Sequence, residues 1–287
     1  IIHAERKPGI DAVFPALLLV VRLGQNGMLT GALIGLILLG LSQGRKSTGI
    51  PLGFMMIKPH LAIGIGLVAL LQRRWVDIGI AFVIALTLCI VSTMILGWQV
   101  WPAFFDGVAA AGGFLQQGLF PLYRMSSVYA GVRSFGLSPS AAMTIHVMGA
   151  IIALLTIVIA WVRGMARNRL LALACFSTLF ISPYNYDYDL VCLAVAVMLI
   201  MPELLTRARA IDLVLFYIFA WIGTGAGLAQ HFNAVLIAGT VEHAHGSPLN
   251  WSFQAMGLLA ALAHACRILS QPQTMGSARR SEPFPKP

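Results

Sequence analysis

Long apolar runs separated by short polar stretches dominate the chain. A transmembrane helix needs about 20 mostly apolar residues, and several runs reach or approach that length. The period-two alternation that is typical of β-strands is almost absent. The pattern therefore predicts helices that cross a membrane. The runs lie at about 10–23, 28–42, 49–72, 76–97, 138–162, 170–186, 189–203, 210–230 and 251–269.

The composition supports this interpretation. Of the 287 residues, 59% are hydrophobic and only 10% are charged, and the mean hydropathy is +0.84. A soluble domain carries about 25% charged residues, so this chain has too little polar surface to cover a globule in water. We predict an all-α fold, a polytopic transmembrane helical bundle with about 8–10 membrane segments.

The net charge of +9 does not indicate nucleic-acid binding, because the basic residues lie in short loops between apolar runs. Such loops are typical of the cytoplasmic side of a membrane protein. With them in the cytoplasm, the segments 98–137 and 231–250 lie outside. The four cysteines stand singly within apolar runs and predict neither a disulfide nor a metal site. The basic loops are Arg45-Lys46, Arg73-Arg74, 163–169, Arg207–Arg209 and the C-terminal tail.

The run 49–72 does not fit a simple crossing, because a basic loop flanks it at each end. One span would put one loop on the wrong side, and two spans need about 40 residues. A broken, re-entrant hairpin that turns at Lys58-Pro59 satisfies both constraints. The alternative is a single proline-kinked helix with Lys58 snorkelling to the surface.

The stretch "MMIKPHLAIG" at 55–64 is the first candidate for a functional site. A lysine at bilayer depth costs roughly 2.5–3.5 kcal/mol on insertion scales, and ionisable residues at that depth usually have a function. Lys58 and the neighbouring His60 are therefore candidates for a functional role. A second candidate is the polar turn with Gln25 and Asn26, which we place outside. The alternative for that turn is an ordinary connection between two helices.

Two further candidates follow from the outer segments. Arg124 and Arg133 lie on the side where the charge rule expects few cations, and they suggest an anion or polyol site. Tyr184, Asp187 and Asp189 form a polar rim that suits sugar recognition. The alternatives are solvated arginines on a surface helix and, for Asp189, an N-cap of the following helix. "EHAH" at 242–245 is too weak a pattern for a metal site, so we expect no metal and no cofactor.

Four stretches in this order resemble one family, the bacterial glycosyltransferase family 87, a polytopic branch of the C-type glycosyltransferases. They are "GQNGMLTGAL", "GFMMIKPHLAI", "RMSSVYAGVRSFG" and "SPYNYDYDLVCLA". The resemblance implies a hexosyltransferase, similar to mannosyltransferases, that uses a polyprenyl-phosphate-linked sugar at the outer face of the bacterial cytoplasmic membrane. It implies a lipid or glycan acceptor and no nucleic acid. His60 departs from the family pattern, in which glutamine is more usual after Lys-Pro.

The resemblance also implies roles for the candidate residues. Lys58 is expected to contact the phosphate, with Arg124 and Arg133 as further candidates for that contact. Tyr184, Asp187 and Asp189 are expected to line the sugar or acceptor side, and Gln25, Asn26 and His60 complete the substrate-binding set. The family's catalytic Asp lies in a first outer loop, which we expect upstream of residue 1.

We accordingly expect a single glycosyltransferase-like domain over 1–270, missing its N-terminal helices and its general base. A disordered cytoplasmic tail over 271–287 completes the predicted organisation. The alternative function is a multi-pass transporter or lipid flippase, which also uses broken helices and buried charge. The two halves of the chain show no convincing internal repeat, which favours the enzyme.

Overall fold

The computed structural model describes residues 8–238 and 251–272, which form α-helices joined by loops and short 3-10 turns. The 3-10 turns are Met55–Ile57, Pro59–Ala62, Leu122–Arg124 and Asp187–Cys192. The helices are α1 (Pro8–Leu23), α2 (Gly27–Ser42), α3 (Gly49–Phe54), α4 (Ile63–Leu71), α5 (Trp75–Leu96), α6 (Val100–Gln117), α7 (Val128–Ser134), α8 (Pro139–Val162), α9 (Arg167–Thr178), α10 (Leu193–Arg207), α11 (Ala210–Ala238) and α12 (Gln254–Leu269).

The helices have the length and composition of membrane segments. Within the described residues no strand forms, and one isolated antiparallel bridge joins Met125 to Tyr186. The predicted all-α polytopic bundle is therefore confirmed. In the same part of the chain, four helical segments are long and apolar enough to cross a membrane: Trp75–Leu96, Pro139–Val162, Asp187–Arg207 and Ala210–Asn233. Shorter apolar helices cover Gly27–Ser42, Pro59–Leu71 and Gln254–Leu269.

The segment 49–72 is a broken hairpin whose two ends meet at one carboxylate. The Gly49 N–H, at the start of α3, donates to Asp77 Oδ1 at 3.0 Å. Arg74, just after α4, donates from Nε to Asp77 Oδ2 at 2.6 Å. Because both ends bind the first turn of α5, the chain enters and returns on the same side. The hairpin prediction therefore holds, and the single kinked helix does not.

Glycines let the two arms of the hairpin pack closely on their neighbours. A Cβ on Gly53 would lie 2.7 Å from Ile84 Cβ on α5. A Cβ on Gly64 would lie 2.6 Å from the Ala174 carbonyl oxygen on α9, and the Gly64 N–H donates to Thr178 Oγ1 at 2.8 Å. Close packing on both sides gives the turn of the hairpin a rigid support.

Helices α1 and α11 run parallel and side by side. Pro15 has no N–H and so cannot bond the Asp11 carbonyl one turn earlier. That carbonyl accepts instead from Trp221 Nε1 on α11 at 2.8 Å. Three turns beyond Asp11 on α1, Arg22 donates to His231 Nε2 of α11 at 2.9 Å. The contacts thus advance along both helices in the same direction.

Helix α9 is shorter than its apolar run. The run extends to residue 186, but the helix ends at Thr178 and residues 179–186 are irregular. Pro183 excludes a continuous helix through this stretch, because it lacks an N–H and restricts the residue before it. The non-helical backbone here leads directly into the polar stretch at 184–189.

Helix α6 carries the aromatic segment that the sequence places at a membrane surface. Phe104 and Phe105 are exposed on it, with their rings 5.5 Å apart in an edge-to-face arrangement. Gly118 ends the helix in the left-handed region at φ 73°, which glycine adopts without steric cost. An interfacial position for α6 stays a prediction.

Two of the sequence features lie outside the described residues. They are the "EHAH" stretch at 242–245 and all but the first two residues of the predicted tail 271–287.

We expect Asp77→Ala to destabilise the protein by about 3–5 kcal/mol, because it leaves the Gly49 N–H and the Arg74 guanidinium without their shared acceptor. Thermal unfolding of the detergent-solubilised protein measures the effect. Asp106→Ala, at an exposed position on α6, is the matched control and should leave the midpoint unchanged. Equal midpoints for both variants would contradict the anchoring role of Asp77.

Candidate functional site

The hairpin breaks at Lys58 for a local reason. A residue that precedes proline is disfavoured in the α region, and Lys58 accordingly adopts φ −146° and ψ 71°. Pro59 then starts the next 3-10 turn, where its missing N–H costs nothing. The break points Lys58 Nζ at Asp189 Oδ1, 2.6 Å away. The lysine at the tip is therefore neutralised by a carboxylate from a distant part of the chain.

A second ion pair lies beside the first. Arg124, at the end of its 3-10 turn, donates from Nη2 to Asp187 Oδ1 at 3.2 Å and from Nε to Oδ2 at 3.3 Å. This two-bond geometry matches the planar guanidinium to the carboxylate. Asp187 is fully buried, whereas 20% of the Arg124 side chain is exposed. In this paired arrangement the cation is thus the part that solvent reaches.

Two tyrosines connect the ion pairs. The rings of Tyr186 and Tyr188 stack in parallel, 5.3 Å between centroids and 3° between planes. Lys58 Nζ lies 4.7 Å from the Tyr188 centroid, and the Arg124 guanidinium carbon lies 6.0 Å from the same centroid. Both cations therefore face one aromatic ring, which attracts them through its quadrupole.

A backbone and side-chain bridge holds the two polar loops in register. The Ser126 N–H donates to the Asn185 carbonyl at 2.8 Å, and Asn185 Nδ2 donates to Ser126 Oγ at 2.9 Å. Ser252 Oγ adds a bond to the Met125 carbonyl at 2.7 Å. Ser126, Asn185 and Ser252 are all buried, so these bonds form in a protected environment. They fix Arg124 opposite Asp187.

The two carboxylate oxygens of Asp189 make different contacts. Its Oδ2 accepts from the Tyr186 N–H at 3.4 Å, which caps the 3-10 turn Asp187–Cys192, while Oδ1 binds Lys58. The N-cap of this turn is Tyr186 and Asp189 is its third residue, so Asp189 is not the N-cap that the sequence offered as an alternative. A substrate-binding role for Asp189 stays a prediction. Asp187 Oδ1 likewise accepts from the Tyr188 N–H at 2.9 Å. Backbone donors thus orient both carboxylates.

Two further polar groups of the site, the His60 imidazole and the Tyr186 phenol, are available for hydrogen bonds to a ligand. His60 Nε2 is buried and has no hydrogen-bond partner among the described residues, and its ring lies within electrostatic reach of Lys58 and Asp189. Burial raises the pKa of the Tyr186 phenol to about 12, against the opposing charge of Arg124. The phenol is therefore a hydrogen-bond donor at neutral pH.

The turn with Gln25 and Asn26 lies at the rim of this cluster. A Cβ on Gly27 would come within 2.2 Å of the Tyr188 carbonyl oxygen, so only glycine lets the start of α2 approach so closely. Gln25 and Asn26 are exposed beside this contact. The structure thus brings the turn next to the two ion pairs.

Arg133 and Tyr184 point elsewhere. Arg133 Nη1 donates to the Leu137 carbonyl at 3.1 Å, at the end of α7. The Tyr184 ring packs edge-to-face on Phe120, with 6.0 Å between centroids. A substrate-binding role for either residue stays a prediction. Of the nine residues that we singled out, Lys58, Arg124, Asp187 and Asp189 form the two ion pairs, with His60, Gln25 and Asn26 around them.

Sequence reasoning left several residues out of the site. Tyr186 and Tyr188 lie in the stretch "SPYNYDYDLVCLA" but are not among the candidates. Their stacking depends on the 3-10 turn Asp187–Cys192, which no local pattern predicts. Tyr123 precedes Arg124, and its hydroxyl lies 3.4 Å from His231 Nδ1. Arg22 contacts the same histidine. No sequence signal connects His231, which lies far along the chain, with these residues.

Comparisons with known proteins give one match. The model of glycosyltransferase family 87 matches residues 9–183, which is more than half of the chain. The matched range contains Lys58 and Arg124 and ends just before the stretch with Asp187 and Asp189. Neither a search of curated proteins nor a search of solved structures gives a significant match. The resemblance inferred from the four sequence stretches is confirmed, and the chain belongs to glycosyltransferase family 87.

Proposed function

We propose that this glycosyltransferase moves a hexose of the mannose type from a polyprenyl-phosphate carrier to a lipid or glycan acceptor. The reaction takes place at the extracytoplasmic face of the bacterial cytoplasmic membrane. The observation that carries the proposal is that two cations from distant parts of the chain approach one aromatic ring. Lys58, at the break of the hairpin, lies 4.7 Å from the Tyr188 centroid, and Arg124 lies 6.0 Å from it.

The chemistry of transfer explains the two cations. The bond between the sugar's anomeric carbon and a phosphate oxygen breaks, and the acceptor oxygen forms the new glycosidic bond while its proton passes to the catalytic Asp that the family resemblance implies upstream of residue 1. The leaving phosphate gains negative charge as the bond breaks. Fixed cations that face this charge lower the energy of the transition state. Lys58 and Arg124 supply such charges from rigid elements.

The aspartates have a complementary task. With each cation paired to a carboxylate, the four charged groups sum to zero before a ligand binds. A phosphate that engages Lys58 and Arg124 replaces part of the carboxylate charge around them. Asp187 and Asp189 are buried while they are paired, and they accept hydrogen bonds from sugar hydroxyls once the phosphate has drawn the cations away from them. The stacked rings of Tyr186 and Tyr188 provide a flat apolar surface of the kind that packs against a pyranose.

The remaining polar groups complete the recognition. A buried polar atom without a partner is costly, and a ligand hydroxyl satisfies His60 Nε2. Gln25 and Asn26 at the rim offer amide donors and acceptors to the sugar or the acceptor. Family membership favours this enzyme over the transporter or flippase that the sequence alone left as the alternative.

In a protein that also carries the catalytic Asp expected upstream of residue 1, we expect Lys58→Ala and Arg124→Ala each to lower the rate of transfer from polyprenyl-phosphate mannose by about 100-fold, as does the loss of one electrostatic contact in other enzymes. Transfer of radiolabelled mannose to membrane acceptors measures the rate. Lys58→Arg keeps the charge and should retain more activity than Lys58→Ala. Arg163→Ala is the control, since Arg163 is an exposed cation in the loop after α8. Unchanged transfer in both alanine variants of the site would remove these cations from the mechanism.

The extracytoplasmic position of the site is tested by thiol labelling. In a variant without Cys89, Cys175, Cys192 and Cys266, a single cysteine is placed at Gln25 or at Arg163. A membrane-impermeant maleimide should label the Gln25→Cys variant in intact cells, and the Arg163→Cys variant only after permeabilisation. The reverse pattern would place the site in the cytoplasm and reject the proposed orientation.

A further inference from the structure

We propose that the groove between α1 and α11 holds the hydrocarbon chain of the phosphate-bearing lipid donor, and that Arg22 at the end of this groove guides the phosphate toward Arg124. The inference rests on the proposed function, which supplies a lipid-linked donor. It adds a binding site for the lipid part of that donor, outside the two ion pairs.

The groove has the chemistry and the length that a lipid chain requires. It has a volume of about 680 Å³ and is lined almost wholly by apolar atoms, from Pro15 on α1 and from Val214 to Ala229 on α11. That part of α11 covers about four helical turns, roughly 22 Å along the helix axis. This is a large part of the hydrocarbon thickness of a bilayer, about 30 Å.

The groove stays open because of specific residues. Gly225 lies against Pro15, and a Cβ there would come within 2.9 Å of the proline ring. The bond from Trp221 Nε1 to the Asp11 carbonyl ties the indole to α1 and satisfies the backbone group that Pro15 frees. Ala229 leaves the groove wide at its far end. The shape is thus built into the two helices.

A cation stands where the apolar lining ends. Arg22 is exposed, two turns beyond Pro15 on α1, and donates to His231 Nε2 at 2.9 Å just after Ala229 on α11. Its guanidinium carbon also lies 4.9 Å from the Phe232 centroid. An apolar channel that ends in an exposed cation is complementary to a molecule with a long apolar chain and an anionic head.

The cation is connected to the site. The Tyr123 hydroxyl lies 3.4 Å from His231 Nδ1, and the next residue in the chain is Arg124. Burial raises the pKa of the Tyr123 phenol, while the charges of Arg124 and Arg22 both act to lower it. Tyr123 therefore lies within electrostatic reach of both guanidinium groups. A phosphate that enters at Arg22 meets Arg124 next.

The second large apolar groove does not offer this combination. It lies between α8, α9 and α12, has a volume of about 420 Å³, and extends from Val128 to Thr156. None of the described residues that line it is charged. It can accept an acyl chain of any membrane lipid but provides no contact for a phosphate. It therefore serves as the internal control.

The experiment uses the full chain in phospholipid nanodiscs and a photoactivatable polyprenyl phosphate without sugar, with a diazirine in its isoprenoid chain. We expect the cross-links to fall on peptides of α1 and α11. Ala229→Leu fills the groove at an exposed position and should reduce cross-linking about tenfold. Ala153→Leu fills the second groove and should leave it unchanged. Arg22→Gln should weaken capture of the phosphate probe but not of the matching polyprenol, which has no phosphate.

Two results would overturn the inference. One is that the cross-links map to α8 and α12 and that their yield is unchanged in the Ala229→Leu variant. The other is competition by phosphatidylglycerol as effective as that by unlabelled polyprenyl phosphate, which would make the groove a site for ordinary lipid. Sugar transfer is measured in parallel with a protein that also carries the catalytic Asp expected upstream of residue 1. Transfer with cross-links elsewhere rejects only the groove, whereas specific cross-links without transfer reject the proposed function.

Discussion

The ion pair between Lys58 and Asp189 is the constraint on which the site depends. A cation next to apolar membrane segments is costly unless a carboxylate compensates it, and a carboxylate buried without its cation is equally costly. The lysine side chain is 17% exposed and the aspartate 3%, so neither is fully solvated alone. The pair therefore fixes the tip of the hairpin against the stretch with the stacked tyrosines.

The opposite end of the hairpin is fixed by a second carboxylate. Asp77 binds the start of α3 and the residue after α4, while Gly53 and Gly64 bring the two arms into close contact with α5 and α9. A segment held at both its base and its tip has little freedom to relax. Charges on such an element start from fixed positions, which favours the electrostatic catalysis that we propose.

The sequence predicts the parts of this design that local rules control. Apolar runs predict the helices, and the basic residues at both ends of 49–72 predict the hairpin and its break at Lys58. Partners across the fold are different, because the pairing of Arg124 with Asp187 depends on how loops far apart in the chain pack together. For the same reason Arg133, as plausible as Arg124 in the sequence, turns out to bind the Leu137 carbonyl. The stacking of Tyr186 on Tyr188 likewise depends on the 3-10 turn Asp187–Cys192, which the sequence does not predict.

Because the two ion pairs are neutral before a ligand binds, the proposed site distinguishes between a lipid phosphate with a sugar and one without. When a bare lipid phosphate binds Lys58 and Arg124, these cations pair with the phosphate instead of with Asp187 and Asp189. The two carboxylates are then left without a compensating charge. A sugar-bearing donor brings hydroxyls that donate to the same carboxylates, so it restores the bonds that its phosphate disrupts. The site therefore favours the donor over the spent carrier, and the loss of the sugar itself promotes release of the lipid. Chain contacts along α1 and α11 are the same for both lipids, so they add affinity but do not alter this preference.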